Sequence, residues 1–269
     1  MLMRLKDSFT VNTQPSKFSQ WIRYNLKDSF SGLIAQDIDF FIKNKNGQTF
    51  VIEEKRNKFA KTGPAQAVIY KLIDEVCSFN TSFQGVLKIT DISENFGFLN
   101  QTTNVDIVNF LEYPKSIYDL KNQWYENIIT NALPYLWDCT GIPKTGRNTA
   151  PERTFIRNSN LAPLLTANGF KYTTIEWIFV NYCSGNFAFF YESKPDDLTL
   201  EFIEMFKRYD YKNNVIFNPK SNKNYNFLGH YLINYEADFS KFKLNENTIN
   251  KNDAITILNL DNDSILDYL

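Results

Sequence analysis

Apolar residues recur with two different periods along the first ninety positions. From Pro15 to Leu26 (PSKFSQWIRYNL), Phe18, Trp21, Ile22 and Leu26 share one face of a 3.6-residue turn behind an early proline, so the spacing predicts a helix. Leu33 to Ile42 and Phe50 to Lys55 are short runs rich in β-branched and aromatic residues, which predicts two strands. Between them, Lys43 to Gln48 (KNKNGQ) carries the Asn46-Gly47 pair that favours a tight hairpin turn. Gly63-Pro64 opens a second helix, with apolar positions at helical spacing from Ala65 to Phe79. Gly85 to Thr90 (GVLKIT) reads as a short buried strand. The order helix, hairpin, helix, strand predicts an α/β unit built on a mixed sheet.

Beyond residue 90 the periods are weaker. Ile117 to Trp137 reads as helical, interrupted at Pro134, and Cys139 to Pro151 as a Gly/Pro/Thr-rich loop. Thr174 to Tyr182 and Phe187 to Tyr191 predict a hairpin around Ser184-Gly185-Asn186. Asp196 to Tyr209 predicts a helix whose first turn is acidic, as the helix dipole favours. Val215 to Phe217 and Phe227 to Tyr235 add two expected strands. The expected division is a core over residues 1–115 and a C-terminal α+β region over 116–269, without internal repeats.

The 269 residues are 43% hydrophobic and 22% charged, a globular composition. Aromatics reach 16%, yet no apolar run approaches the 18 or so residues of a membrane span. MLMRLKDSFT lacks the apolar stretch of a signal peptide. Cys77, Cys139 and Cys183 are odd in number and far apart, which argues against a disulfide framework or a cysteine zinc site. With His230 as the one histidine, a histidine relay is excluded too. The expected location is a reducing one, the cytoplasm, with no membrane partner. The net charge of −1 hides an asymmetry: residues 1–90 carry 13 Lys/Arg against 8 Asp/Glu, and the remainder 16 against 22. A basic first third points to an anionic partner.

The chemistry concentrates between Gln36 and Tyr70. Alternation puts Asp37 and Asp39 on one face of the first strand, and Glu53 and Lys55 on one face of the second. The hairpin sets the strands side by side, so carboxylates and an ammonium converge. Carboxylates beside runs such as Phe40-Phe41-Ile42 and Phe50-Val51-Ile52 carry a desolvation cost that needs a compensating partner. Oxygen-only ligands suit Mg²⁺ or Mn²⁺. A lysine beside the metal's waters can orient one for attack on a phosphodiester.

Asp39 followed fourteen residues later by Glu53-x-Lys55 resembles the P-D-(D/E)-x-K nuclease superfamily. Gln66-Ala-Val-Ile-Tyr70 on the next helix is similar to the Gln-x-x-x-Tyr motif of its RecB-type members. The resemblance covers roughly residues 15–92. It implies a restriction-endonuclease-like mixed-sheet core with helices on both faces, and a metal-dependent nuclease acting on nucleic acid, DNA in the first instance. It further implies that Asp39 and Glu53 hold Mg²⁺ or Mn²⁺, with Asp37 as a further candidate ligand. Lys55 would assist the attacking water, and Gln66 and Tyr70 would position substrate or site. Two features depart from the pattern: Ile38, not proline, precedes Asp39, and no glutamate precedes Glu53. Gln20, Asp28 or Asp37 are the candidates to stand in for a first-helix glutamate. The alternative is a catalytically inactive nucleic-acid- or protein-binding module on a degenerate nuclease fold; under either reading a homodimer or a partner protein is a candidate assembly.

Arg56, Lys58 and Lys61 follow the second strand directly and would track a phosphate backbone. Lys144, Arg147 and Arg153 lie in or beside a glycine-containing loop that lacks the lysine and hydroxyl of a true phosphate loop. His230 and the tryptophans Trp21, Trp124, Trp137 and Trp177 read as structural, and Cys77 and Cys183 as buried small hydrophobes.

Overall fold

The computed structural model describes residues 12–15, 17–28, 31–55, 62–90, 97–98, 104–114, 124–132, 154–156, 159, 161–214, 216–218 and 223–268. In chain order the elements are β1 (Asn12–Pro15), α1 (Lys17–Asn25), β2 (Leu33–Lys43), β3 (Thr49–Lys55), α2 (Pro64–Cys77), β4 (Phe83–Thr90) and β5 (Gly97–Phe98). They continue with α3 (Asn104–Glu112), α4 (Trp124–Ala132), β6 (Thr154–Ile156), α5 (Leu161–Ala167), β7 (Lys171–Asn181) and β8 (Asn186–Tyr191). The last are α6 (Asp197–Arg208), β9 (Phe217–Asn218), β10 (Lys223–Asn224), β11 (Asn226–Tyr235), β12 (Lys241–Leu244), β13 (Asn247–Asn250) and α7 (Lys251–Leu258), before a 3₁₀ turn over Ser264–Tyr268.

Nine strands form one mixed sheet in the order β13-β12-β11-β8-β7-β2-β3-β4-β5. The β3–β4 and β8–β11 pairs are parallel, and the remaining pairs are antiparallel. The chain is therefore α/β, as the element order predicts. The sheet also crosses the expected boundary at residue 115, because β7 pairs with β2 along most of its length, from Leu33–Asn181 to Lys43–Lys171.

Helices cover both faces. On one, Ile34, Ile38, Phe41, Val51, Ile178 and Phe189 pack under α2, α4 and α6. On the other, Leu33, Ala35, Trp177, Phe179 and Phe190 pack with α1 and α7, and Phe40, Ile42, Phe50 and Ile52 with α3 and α5. Strands buried on both faces read as continuous apolar runs, which explains FFI in β2, FVI in β3 and FAFFY in β8. The β2–β3 turn is held by Asn44, whose Oδ1 accepts the N–H groups of Asn46 and Gln48 at 3.0 and 2.9 Å. Gly47 supplies the positive φ, +80°, that this turn requires.

Two expectations are corrected. Cys183 is disulfide-bonded and only half-buried, so the reading of it as a buried small hydrophobe is corrected. Sequence separation does not reveal which cysteines a fold brings together. Cys77 is free and buried, as expected. Strict alternation also fails in β2: its pairing with β7 shifts between Gln36 and Ile38 and again between Ile38 and Phe41. Ile38 and Phe41, three residues apart, consequently enter the same core, and parity does not place Asp37 and Asp39. The loop over residues 139–151, Trp137, Arg56, Lys58, Lys61, Lys144, Arg147 and Arg153 lie outside the described residues.

Candidate active site

β2 and β3 pair from Lys43–Thr49 to Phe40–Ile52. Beyond that pair the Glu54 N–H donates to Asp39 Oδ2 at 2.8 Å. β3 stays registered on β4 as far as Lys55–Thr90. The sheet thus loosens on one side of β3, at the level of Glu53, while β4 holds the other. The irregular pairing of β2 falls in the same stretch, and bulges of this kind re-aim side chains.

Alternation within β3 sends its two glutamates to opposite faces. Glu54 joins the α5 side, where Ser159 Oγ donates to its Oε2 at 2.6 Å and the Leu161 N–H to its Oε1 at 3.4 Å. Glu53 points to the α2 side and its side chain is 0% exposed. A lone carboxylate at such depth would be strongly disfavoured. Three donors answer it. Lys55 Nζ lies 2.6 Å from Glu53 Oε1. Gln66 Nε2 donates to the same oxygen at 2.8 Å, and Tyr70 Oη donates to Oε2. Lys55 in turn donates to Gln66 Oε1 at 2.9 Å, which closes a ring of three side chains. Gln66 and Tyr70 reach Glu53 together because they are four apart on α2 and share one of its faces.

Electrostatics in this cluster are those of a buried pair. Burial raises the Glu53 carboxyl above its ordinary 4.5, the Lys55 ammonium and the Tyr70 hydroxyl oppose that rise, and Asp37 adds to it. The Tyr70 hydroxyl is pushed far up by burial and by the Glu53 charge. Asp37 is thus a second carboxylate felt at both Glu53 and Tyr70. Among the stand-ins for a first-helix glutamate, Asp28 instead caps a turn by accepting the Ser31 N–H at 2.9 Å, and Gln20 is exposed. Solvent reaches the cluster through Lys55, whose side chain is 15% exposed.

Two contributors escape a motif-based reading. Lys88 on β4 is registered with Glu53, and parallel partners project to the same face. Its ammonium sits 5.7 Å from the centre of the Trp124 ring. Trp124, at the start of α4, packs on Tyr70 with centroids 5.4 Å apart, and its indole N–H donates to the Val86 carbonyl at 3.4 Å. The available signal is a single lysine at an inward-facing position of an apolar strand, GVLKIT.

A separate cavity of about 570 Å³ is lined by residues including Lys43, Thr173, Glu176, Asp196 and Glu201, and shares no residue with this cluster. Several of its charged groups are already engaged: Lys43 pairs with Glu201 at 2.6 Å, and Asp196 accepts from Thr173 at 3.0 Å. Chemistry is better placed at Glu53, where the network is buried and the Glu53 carboxyl and Tyr70 hydroxyl are both raised.

For a metal, the oxygen donors Asp37, Asp39 and Glu53 are of the hard type that Mg²⁺ and Mn²⁺ take. Among the described residues no three such groups are placed to hold an ion together. Mg²⁺ retains several waters and needs only one or two carboxylates, so the donor set fits a largely hydrated ion. His230 lies in β11, its ring 6.3 Å from that of Tyr191 and its pKa lowered chiefly by burial, away from this chemistry. No helix among the described residues is long and apolar enough to cross a membrane.

No family model matches the sequence, and no solved structure is similar to it. Two proteins of Archaeoglobus fulgidus, both described as uncharacterized, are similar. One is 33% identical over 143 residues, spanning 45% of this chain and 93% of that protein. The other is 32% identical over 130 residues, spanning 45% of this chain and 89% of that protein. With nearly the whole of each relative matched at this identity, the chain belongs to the same family as these two archaeal proteins.

Proposed function

We propose that the protein is a divalent-metal-dependent nuclease, restriction-endonuclease-like in its core, that hydrolyses phosphodiester bonds of nucleic acid, DNA in the first instance. The observation that carries this reading is the closed ring of Glu53, Lys55 and Gln66, with Tyr70 on the second carboxylate oxygen, at the point where β2 and β3 part. Glu53, with Asp39 or Asp37, would hold Mg²⁺ or Mn²⁺. A bound ion supplies charge stabilisation at the phosphate and a more acidic water. Lys55, the member of the pair that solvent reaches, orients the attacking water. Gln66 fixes the Lys55 ammonium and the Glu53 carboxylate relative to each other. Tyr70 donates to Glu53 and keeps it anionic in an apolar setting.

A second reading is favoured by one observation. Both Glu53 oxygens already accept hydrogen bonds, as they would in an inactive nucleic-acid-binding module. Incubating plasmid and single-stranded oligonucleotides with Mg²⁺, Mn²⁺ or a chelator separates the two. Metal-dependent cleavage abolished by Glu53→Gln and Asp39→Asn, and by Lys55→Ala without loss of metal binding, supports the nuclease. Binding without cleavage supports the module. Cleavage by all three variants at the parent rate places the chemistry elsewhere.

A further inference from the structure

Lys88 poses a charge problem that the motif residues leave open. It lies on β4 in register with Glu53, on the face covered by α2 and α4, with Lys55 on the strand beside it. Glu53 is engaged by Lys55 at 2.6 Å. Lys88 makes no ion pair with any described carboxylate, and its ammonium is held over the Trp124 ring. That ring is not free to move away: it is fixed by Tyr70 on one side and by its hydrogen bond to Val86. The ammonium is partly desolvated and feels the Lys55 charge more strongly than the opposing Glu53 charge, and both effects lower its pKa. A cation–π contact compensates only part of such a loss. A lysine so placed, beside a second lysine and without a counter-ion among the described residues, is a seat for an anion.

We propose that Lys88 seats a phosphate group of the substrate next to the Lys55–Glu53 pair. The identification of the anion as a substrate phosphate rests on the nuclease reading. The anion seat itself rests on the strand register and the Trp124 contact. Lysine binds phosphate as a point charge, so Lys88 positions the backbone without reading bases. The aromatic floor limits the ammonium to one side of Trp124 and sets where the phosphate sits relative to Lys55.

The test is calorimetric titration of the full chain with inorganic phosphate at constant ionic strength, without metal, for the parent, Lys88→Met and Lys88→Arg. Methionine keeps the apolar stem on Trp124 and removes only the charge. The expected result is phosphate binding by the parent, a loss of at least about tenfold in Lys88→Met, and recovery in Lys88→Arg. In a Glu53→Gln background, Lys88→Met should also lower the salt dependence of duplex binding by about one phosphate contact. No phosphate binding by the parent, or equal binding by parent and Lys88→Met, overturns the proposal. If Lys88→Met does not fold by circular dichroism, Lys88→Gln takes its place. Phosphate binding that depends on Lys88 in a chain that cuts nothing keeps the seat and removes the nuclease. Cleavage combined with phosphate binding indifferent to Lys88 does the reverse.

Discussion

Lys55→Met tests the buried pair through stability, apart from any activity. The substitution keeps the stem and deletes the ammonium, which leaves a carboxylate with 0% side-chain exposure whose remaining hydrogen-bond donors among the described residues are Gln66 and Tyr70. Breaking a buried pair on one side costs about 3–5 kcal/mol if the remaining charge persists. The folded chain has an escape, which is to protonate Glu53. At pH 7, against an ordinary carboxyl value of 4.5, that escape costs at most about 3.4 kcal/mol, and at pH 5 about 0.7 kcal/mol. Protonation is therefore the cheaper route and sets the ceiling. The parent's own raised Glu53 pKa lowers that ceiling further. The sign follows from the same shift: the contribution of Glu53 is full below 4.5 and is lost as pH rises through its raised folded value. Urea unfolding should show Lys55→Met losing roughly 2–3 kcal/mol at pH 7 and under about 1 kcal/mol at pH 5. The double variant Lys55→Met/Glu53→Gln should recover most of the loss at pH 7. A loss independent of pH, or a double variant no better than the single one, refutes the reasoning.

Tyr70→Phe removes one donor from Glu53 with almost no change in volume, so it should cost about 1–3 kcal/mol and raise the Glu53 pKa further. In a pH–rate profile the acidic limb should then move to higher pH, and an unmoved limb would separate Glu53 from catalysis. Gly185 (φ +85°) and Gly47 (φ +80°) have matched backbones but different surroundings: a Cβ on Gly185 collides with the Asn224 carbonyl, and one on Gly47 meets nothing. Thermal unfolding should show Gly47→Ala losing about 1–2 kcal/mol, the left-handed backbone cost alone, and Gly185→Ala clearly more. Equal losses would remove the collision from the account.

The elements legible in the sequence are those fixed by short-range periods. Helix α1, the β2–β3 hairpin, α2 and β4 fall within two residues of the bounds read from apolar spacing and from the Asn46-Gly47 and Gly63-Pro64 signals. The approach of Gln66 and Tyr70 to Glu53 follows from the same local rules, since four residues span one helical turn. Long-range arrangements were not legible. Nothing in Leu33 to Lys43 says that its second neighbour is β7, and the register shifts around Ile38 arise from that pairing. The respective surroundings of Asp37 and Asp39 depend on the shifts and so stayed open. Lys88 enters the site through parallel pairing across a helical crossover, which no spacing encodes. The β12–β13 hairpin did leave a trace, with Phe242 and Leu244 buried and Lys241 and Lys243 exposed, although in only four residues.

The central pairing of β2 with β7 has a consequence for how the chain is made. β2 emerges from the ribosome with β3 as its immediate partner, whereas β7 follows well over a hundred residues later. At about 5–20 residues per second, one long edge of an eleven-residue apolar strand waits on the order of ten seconds for its partner. An unpaired apolar edge is a template for pairing with another chain. Production of this protein should accordingly be limited by events during synthesis, before the native state exists. Slower growth at low temperature, or added chaperone, should raise the soluble yield more than any substitution that stabilises the finished fold.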